Sequence, residues 1–541
     1  MSSNSFFPTG AKLDSGATSS LPSTILVGNR FYSDQPIIEL LSEFLLIVQA
    51  EKTVNEFEKT DDYFLEHRHG SEIESLKYTI NHRLNFKLFS LWNTGKTTKV
   101  SDGHYNRYLD IRKHLASAFD DELPSSIEKH MDILANLYQG FQTSGAERDW
   151  CARSFLPISS RMLMGETVWK ATAAKKIEHI DDFEKNKEFL QHSSRNFYAR
   201  GGEILYLQLL SFFTKTKEDV DDLLATDKHF AGLRILSENE KDPKYLRNDL
   251  IRGFHSFFDN SELPKSFENF MDFIEDFYKA EEDSFDASSG KNFYNITRGQ
   301  RIGLIPDNSW YLGFLFALEL SRLFKSQFGQ IDLIKLLSLE CAFQCLRTYV
   351  FQSSRELGVV APTMAIVSPY CVDAELKSAS ARSFVNCRSV IMQAFEKLAN
   401  EDPRIIAASL KEGDRKKMHD KSGFKLFTKY GKQIGLVIPR TGANEHFVLS
   451  KDMLILLVST TLVPGESLTF DSFLEDLKIR YGFVFNEDEF TAANVYAGCN
   501  KKIINPDICN WLISMLEDCG YYIPLSDALS LVKNTNLGVE V

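Results

Sequence analysis

The chain has 541 residues, 43% hydrophobic and 25% charged, which is enough for several domains with a sizeable buried core. Its 62 basic and 74 acidic residues give a net charge of −12. This excludes a protein that coats nucleic acid with its whole surface, because neutralising phosphates requires a basic surface, but it allows a local basic patch. We find neither a leader sequence nor a run of about 18 apolar residues, and therefore expect a cytoplasmic protein with no membrane association.

The eight cysteines predict a reduced protein without a bound metal. They form no Cys-x-x-Cys pair, and no nearby histidine completes a zinc site with Cys499, Cys509 and Cys519. We therefore expect structural thiols in a reducing compartment, with no metal and no cofactor.

The N-terminal part is predicted to be a tail followed by helices. Residues 1–24 are rich in Ser, Gly, Thr and Pro, a composition that is typical of a flexible segment. An amphipathic helix is expected from Gln35-Pro36 to about Glu58, since proline suits a first helical turn. Further helices are expected over 72–117.

The segment Gly95-Lys96-Thr97 is similar to part of a phosphate-binding loop. That loop also needs a glycine at position 90, where this chain has Ser90, and an apolar strand before it. We therefore do not expect a nucleotide site here.

Two segments of the chain are similar to each other, and we call this pair the internal echo. Residues 122–138 match residues 262–278 at an offset of 140, with eight of seventeen positions identical, and a Leu-Pro pair opens a helical pattern in both. Two interpretations stay open: an ancient duplication that gives two related helical halves, or a chance likeness between two proline-initiated helices. Two copies are too few for a solenoid.

A distinctive segment between the two copies combines Arg195, Arg200, Gly201 and Gly202 with the start of the apolar helix 204–213. Free N–H groups at a helix start bind anions, and the two arginines would add charge-assisted contacts to a phosphate. The alternative, which we favour, is packing: glycines allow two elements to approach closely, and a helix that is apolar nearly all round must be buried.

The region after the second copy alternates apolar helices with one charged stretch. Helices are predicted over 311–324 and 331–356. The segment 411–421 contains Arg415, Lys416 and Lys417. It is either a solvated loop or helix end, or a contact for an anion or nucleic acid.

The last 115 or so residues are predicted to form a separate unit with short strands over 434–439 and 446–449. Ser450 is the expected cap of a helix to Thr461, and a second helix is expected from Thr469 or Asp471 to Tyr481, ending at Gly482. Later helices are expected over 487–496 and 507–517. Small helices with short strands suit a winged-helix-like module. The segment has 9 basic and 14 acidic residues, which favours protein docking over DNA reading.

The sequence carries no complete catalytic signature. The twelve histidines do not cluster, and neither a His-Glu-x-x-His motif nor a Gly-x-Ser-x-Gly motif is present. Glu240, Asp242 and Lys244 lie close together along the chain, but a nuclease centre needs such residues on adjacent strands, and this region is predicted to be helix and loop.

Three segments resemble accessory subunits of bacterial multi-gene antiviral defence systems of the Druantia-like or methylation-associated type. They are Arg200-Gly201-Gly202-Glu203, Gly28-Asn29-Arg30-Phe31 and the Leu-Ser-x-Asp-x-Leu pattern at 449–454. The resemblance implies a subunit that acts beside a separately encoded helicase or nuclease. It carries over no site residues.

Together these observations predict a mainly α protein with a flexible tail (1–24), two helical halves (25–240 and 241–425) and a C-terminal winged-helix-like or docking module (426–541). The leading functional hypothesis is a non-catalytic scaffold or adaptor of an antiviral defence complex, with other protein subunits as partners. Two alternatives are a nucleic-acid-binding sensor that uses a local basic patch, with DNA as a partner, and a divergent metal-dependent nuclease.

Overall fold

The computed structural model describes a chain that is mainly helical, with short strands between the helices. The described residues are 5–11, 21–28, 35–66, 68–79, 82–83, 129, 156–160, 163, 165–169, 190–192, 201–259, 300–407, 424–492, 509–525 and 530–536.

The described helices are α1 (Leu21–Val27), α2 (Ile37–Gln49), α3 (Gly201–Phe213), α4 (Lys217–Thr226), α5 (Pro243–Asp259), α6 (Trp310–Lys325), α7 (Gln330–Leu357), α8 (Ala374–Glu401), α9 (Pro403–Ala407), α10 (Lys425–Gln433), α11 (Lys451–Thr461), α12 (Phe470–Tyr481), α13 (Glu487–Ala492) and α14 (Asn510–Asp518).

The described strands are β1 (Phe6–Phe7), β2 (Glu51–Val54), β3 (Glu58–Thr60), β4 (Leu76–Thr79), β5 (His82–Arg83), β6 (Gly165–Trp169), β7 (Leu190–His192), β8 (Gln300–Arg301), β9 (Ile305–Pro306), β10 (Met364–Ala365), β11 (Val437–Ile438), β12 (His446–Phe447), β13 (Ser467–Thr469), β14 (Phe483–Val484), β15 (Tyr522–Pro524) and β16 (Ser530–Lys533).

The described strands form small sheets of two to four strands. The largest described sheet is antiparallel in the order β3-β2-β4-β8. A second antiparallel sheet has the order β13-β16-β15, and β11 and β12 form a hairpin. Strands β10 and β14 pair in parallel.

The centre of the protein is the packing of α3 against α2, α6 and α7. Helix α3 is buried along almost its whole length, as predicted for a helix that is apolar nearly all round. Two glycines permit these close crossings. A Cβ on Gly313 of α6 would collide with the main-chain oxygen of Gln208 in α3, and a Cβ on Gly202 would lie 2.5 Å from the main-chain nitrogen of Phe44 in α2.

Several polar side chains inside this core form hydrogen bonds with one another. Arg347 of α7 donates to both carboxylate oxygens of Glu319 in α6, at 2.8 and 2.6 Å. Gln344 donates to the side-chain oxygen of Gln208 at 2.8 Å, and Gln208 donates to Thr348 at 3.0 Å. Because buried polar groups are costly without partners, these contacts also fix how α3, α6 and α7 are aligned.

The N-terminal predictions need three corrections. The flexible tail predicted for 1–24 is wrong for 5–11 and 21–24, because β1 pairs with β9, Phe7 is buried in the core and helix α1 begins at Leu21 with Ser23 buried. Helix α2 ends at Gln49 rather than near Glu58, and the chain continues into the β2–β3 hairpin, where Asn55 and Glu56 adopt the left-handed conformation. Residues 76–79 are likewise strand β4 rather than helix.

The predicted elements of the C-terminal segment are largely confirmed. Helix α11 covers the predicted residues, and the Ser450 side chain accepts from the N–H of Met453 as its cap. Helix α12 ends at Gly482, which has a φ of +71°. The segment also packs on the body: α11 contacts α6 and α7, and Arg234 forms ion pairs with Glu466 and Asp476.

Several predictions fall outside the described residues. They include the Gly95–Thr97 segment, the charged segment 411–421 and, apart from Lys129, the two copies of the internal echo. The duplication and the domain boundaries at 240 and 425 stay predictions.

Candidate anion-binding pocket

The start of α3, where the sequence suggested an anion site, is buried against another part of the protein. Gly201 and Gly202 are both buried, and the N–H of Gly202 donates to the Glu43 carboxylate at 2.9 Å. Gln35 donates to the same oxygen at 2.9 Å. The start of α3 thus faces the carboxylate of Glu43 from the protein itself, and a negative charge is stabilising at a helix N-terminus.

The other contact residues predicted from the sequence lie outside the described residues. Arg195 and Arg200 precede α3 in the chain, and Arg415, Lys416 and Lys417 come between α9 and α10. Their role as anion or nucleic-acid contacts stays a prediction.

A basic cavity lies along α10. The apolar side chains Leu426, Phe427 and Tyr430 of α10 are buried, which orients the helix. Lys425, Lys429 and Lys432 follow at spacings of four and three residues, so they share the opposite face. By the helical rise, the three Cα atoms span about 10 Å along the axis.

The cavity has a volume of about 840 Å³ and is built from α8, α10 and the β11–β12 turn. Among the ten described residues that line it, five carry a positive charge and one carries a negative charge. The described lining residues are Arg388, Met392, Phe424, Lys425, Thr428, Lys429, Lys432, Gln433, Arg440 and Glu445. This local excess of positive charge contrasts with the net charge of −12 of the whole chain.

The β11–β12 turn is held in place by the end of α10. Gly435 has a φ of +75°, and a Cβ there would lie 2.7 Å from the Ser450 hydroxyl oxygen, so both the backbone conformation and the space favour glycine. Lys432 forms an ion pair with Glu445 at 2.9 Å, which ties the turn to α10. These contacts place Arg440 at the cavity.

Two contacts organise the walls of the cavity. The guanidinium carbon of Arg388 lies 4.7 Å from the centre of the Phe424 ring, a cation–π contact that holds the arginine against α10. Partial burial raises the pKa of the Glu445 carboxyl, but the hydrogen bond from Lys432 and the charges of Lys432 and Arg388 outweigh it. The resulting pKa is lower than usual, so Glu445 is ionised at neutral pH.

Exposed cations line the cavity together with partly buried side chains, which are apolar at Met392 and Phe424 and charged at Lys429, Lys432 and Glu445. The exposed cations, which we call the rim, are Arg388, Lys425 and Arg440. Met392 and Phe424 supply apolar surface. An anion at the rim would meet long cationic side chains, while a bulkier group attached to it would meet an apolar wall.

The carboxylates considered for a nuclease centre have structural contacts. Glu240 is buried and accepts two hydrogen bonds from Arg322, at 3.0 and 2.9 Å. Asp242 accepts from the N–H of Lys244 at 2.9 Å. Within the described residues, no group of three or more His, Cys, Asp and Glu side chains is arranged to hold a metal ion.

A second cavity, of about 400 Å³, lies beside the loop that precedes α6. Its one arginine, Arg355, forms an ion pair with Asp227 at 2.6 Å and lies 4.7 Å from the Tyr311 ring centre. That cation is thus already engaged by the protein.

None of the described helices is both long and apolar enough to cross a membrane.

The basic cavity was not predicted from the sequence, although part of its signal is present there. The spacing of Lys425, Lys429 and Lys432 on a helix with one apolar face indicates a basic stripe. Arg388 and Arg440 join this stripe only through the tertiary fold.

Comparison with protein-family models, with curated proteins and with solved structures finds no match for this chain.

Proposed function

We propose that this protein is a non-catalytic binding subunit that holds the phosphate backbone of a nucleic acid at the basic cavity. The observation that carries the proposal is the concentration of five cations and one carboxylate around a single concave site in an acidic chain. Lysine and arginine bind nucleic acids by replacing the counterions of phosphates, and this electrostatic contribution needs only a local patch.

The C-terminal unit is proposed to be a winged-helix-like module. The element order is α11, β13, α12, β14, α13, α14, β15, β16, and the sheet order β13-β16-β15 within it supports this arrangement. In such a module the helix in the position of α14 reads DNA. Here that helix contains Glu517 and Asp518 and no lysine or arginine, which favours contact with protein.

A scaffold role is therefore the second candidate, with other protein subunits as partners. It is favoured by the acidic α14 and by exposed apolar side chains beside β10: Val360 is 78% exposed, Tyr370 88% and Val372 92%. Membership of an antiviral defence complex remains a proposal from the sequence resemblance. The two roles are compatible, because the cavity and α14 are formed by different residues.

The nucleic-acid role is tested by charge reversal with a matched control. Lys425→Glu with Arg440→Glu reverses two exposed cations of the cavity rim. Lys228→Glu with Lys244→Glu makes the same change in net charge at exposed lysines outside the cavity. Fluorescence anisotropy with a labelled oligonucleotide should show binding weakened at least about tenfold by the cavity pair, about 1.4 kcal/mol.

The control pair should change that affinity much less than the cavity pair. Equal losses from both pairs would mean that the whole surface charge governs binding, which contradicts a defined site. If the unmodified protein binds no oligonucleotide at low salt, the proposed function is wrong.

A further inference from the structure

We infer that the basic cavity accepts an unpaired nucleotide of a single strand, with the phosphates on its rim and the base inside. This inference rests on the proposed nucleic-acid role and adds to it the kind of nucleic acid. It is carried by the apolar and aromatic side chains that line the site beside the cations and by the concave shape of the site.

The rim suits phosphates. Arg388, Lys425 and Arg440 are exposed and come from α8, α10 and the β11–β12 turn, so they approach the opening from three elements. Cations on different walls can contact successive phosphates of a strand that bends into the opening.

The apolar side chains of the lining suit a base. Met392 and the Phe424 ring provide apolar surface, and the guanidinium carbon of Arg388 lies 4.7 Å from the centre of that ring. Unpaired bases stack on aromatic rings and on guanidinium planes. Glu445, Thr428 and Gln433 line the same cavity and supply hydrogen-bonding groups for the polar edge of a base.

The concave shape selects against a duplex. The bases of a duplex are stacked in its interior, so a base reaches a pocket only when it is unstacked and unpaired, which costs free energy. A single strand pays little of that cost. A cavity of about 840 Å³ lies within the size range of small-molecule pockets and has ample room for one nucleotide.

The first test compares nucleic acids on the unmodified protein. A labelled single strand should bind at least about tenfold more tightly than a hairpin duplex of the same nucleotide count, by anisotropy at equal salt. Adenosine monophosphate should displace the strand at concentrations at which inorganic phosphate does not. Equal affinity for the single strand and the duplex, with no advantage of adenosine monophosphate over inorganic phosphate, would overturn the inference and leave the proposed function standing.

The second test fills the cavity without changing its charge. Thr428→Trp adds a large side chain to a lining position, and Gln393→Trp adds it to an exposed position of α8 outside the lining. If the base enters, Thr428→Trp weakens single-strand binding at least about tenfold, leaves duplex binding unchanged, and Gln393→Trp has little effect. If Thr428→Trp is folded by thermal melting and binds both nucleic acids normally, base entry is wrong. If no polynucleotide binds at all, the proposed function itself fails.

Discussion

Gly202→Ala tests the packing of α3 on α2 most sharply. The new Cβ would lie 2.5 Å from the Phe44 nitrogen, 2.7 Å from Glu43 Cγ and 2.8 Å from the Glu43 main-chain carbon, where ordinary contacts begin at 3.4 Å. Two of the three contacts are with backbone atoms, so α2 as a whole must shift by about 1 Å rather than rotate a side chain.

Two effects lower the free energy of unfolding of Gly202→Ala, and one effect raises it. Overpacking a filled core costs about 1–3 kcal/mol. A shift of α2 also weakens the hydrogen bond from Gly202 to the buried Glu43 carboxylate, and bonds to charged groups are worth about 1.5–3 kcal/mol. The better helix propensity of alanine returns up to about 1 kcal/mol. We therefore expect a net destabilisation of about 2–5 kcal/mol.

Chemical and thermal unfolding, followed by circular dichroism, measure this effect. The matched control is Gly329→Ala, because the nearest atom to a Cβ on Gly329 is a carboxylate oxygen at 3.9 Å. That control should lose no more than about 1 kcal/mol, the usual effect of alanine at an N-cap. A Gly202→Ala protein as stable as the parent would refute the close packing of α3 on α2.

The remaining predictions concern buried charges and a helix cap. Burial lowers the pKa of Lys52 to about 7, so the unfolded chain binds more protons between pH 7 and its ordinary pKa of 10.5. The free energy of unfolding should therefore rise with pH across that range. Lys52→Met should stabilise the protein most below pH 7, by about 1.4 kcal/mol for each pH unit that separates the folded and unfolded pKa values. Thermal melts of this variant should show a flatter pH profile. Arg322→Met should cost about 3–5 kcal/mol in the same melts, because it leaves the buried Glu240 carboxylate without its cation. Adding Glu240→Met should recover only part of that loss, because Arg322 also donates to the carbonyl of Thr461. Ser450→Ala should cost about 1 kcal/mol by removing the cap of α11, and an unchanged melting profile would contradict that contact.

The central and C-terminal helices could be predicted because each combines a strong apolar pattern with clear end signals. Helix α11 starts after a serine cap and α12 stops at a glycine in the left-handed conformation. Helix α3 is so apolar that only complete burial explains it.

The N-terminal strands could not be predicted from local pattern. In β2 the inward-facing positions are Lys52 and Val54, so a lysine occupies a buried position and hides the alternation that marks a strand. Strand β1 forms only because Phe6 and Phe7 meet Pro306 and Ile305, about 300 residues away in the chain.

The basic cavity could be predicted from the sequence only in part. The basic stripe of α10 is visible in the sequence as lysines at helical spacing. Arg388 is 37 residues before α10 begins, and its position over Phe424 depends on how α8 and α10 pack. Local sequence therefore indicates a charged helix face, whereas the concave site requires the fold.

The most direct test of the nucleic-acid role is the salt dependence of single-strand binding. Each phosphate that a protein neutralises on a single strand contributes about −0.7 to the slope of log K against log salt. Three to five contacting cations predict a slope between about −2 and −3.5. Lys425→Glu with Arg440→Glu should make the slope shallower by about 1.4 or more. A slope near zero, or one that the double substitution leaves unchanged, would contradict phosphate binding at the cavity.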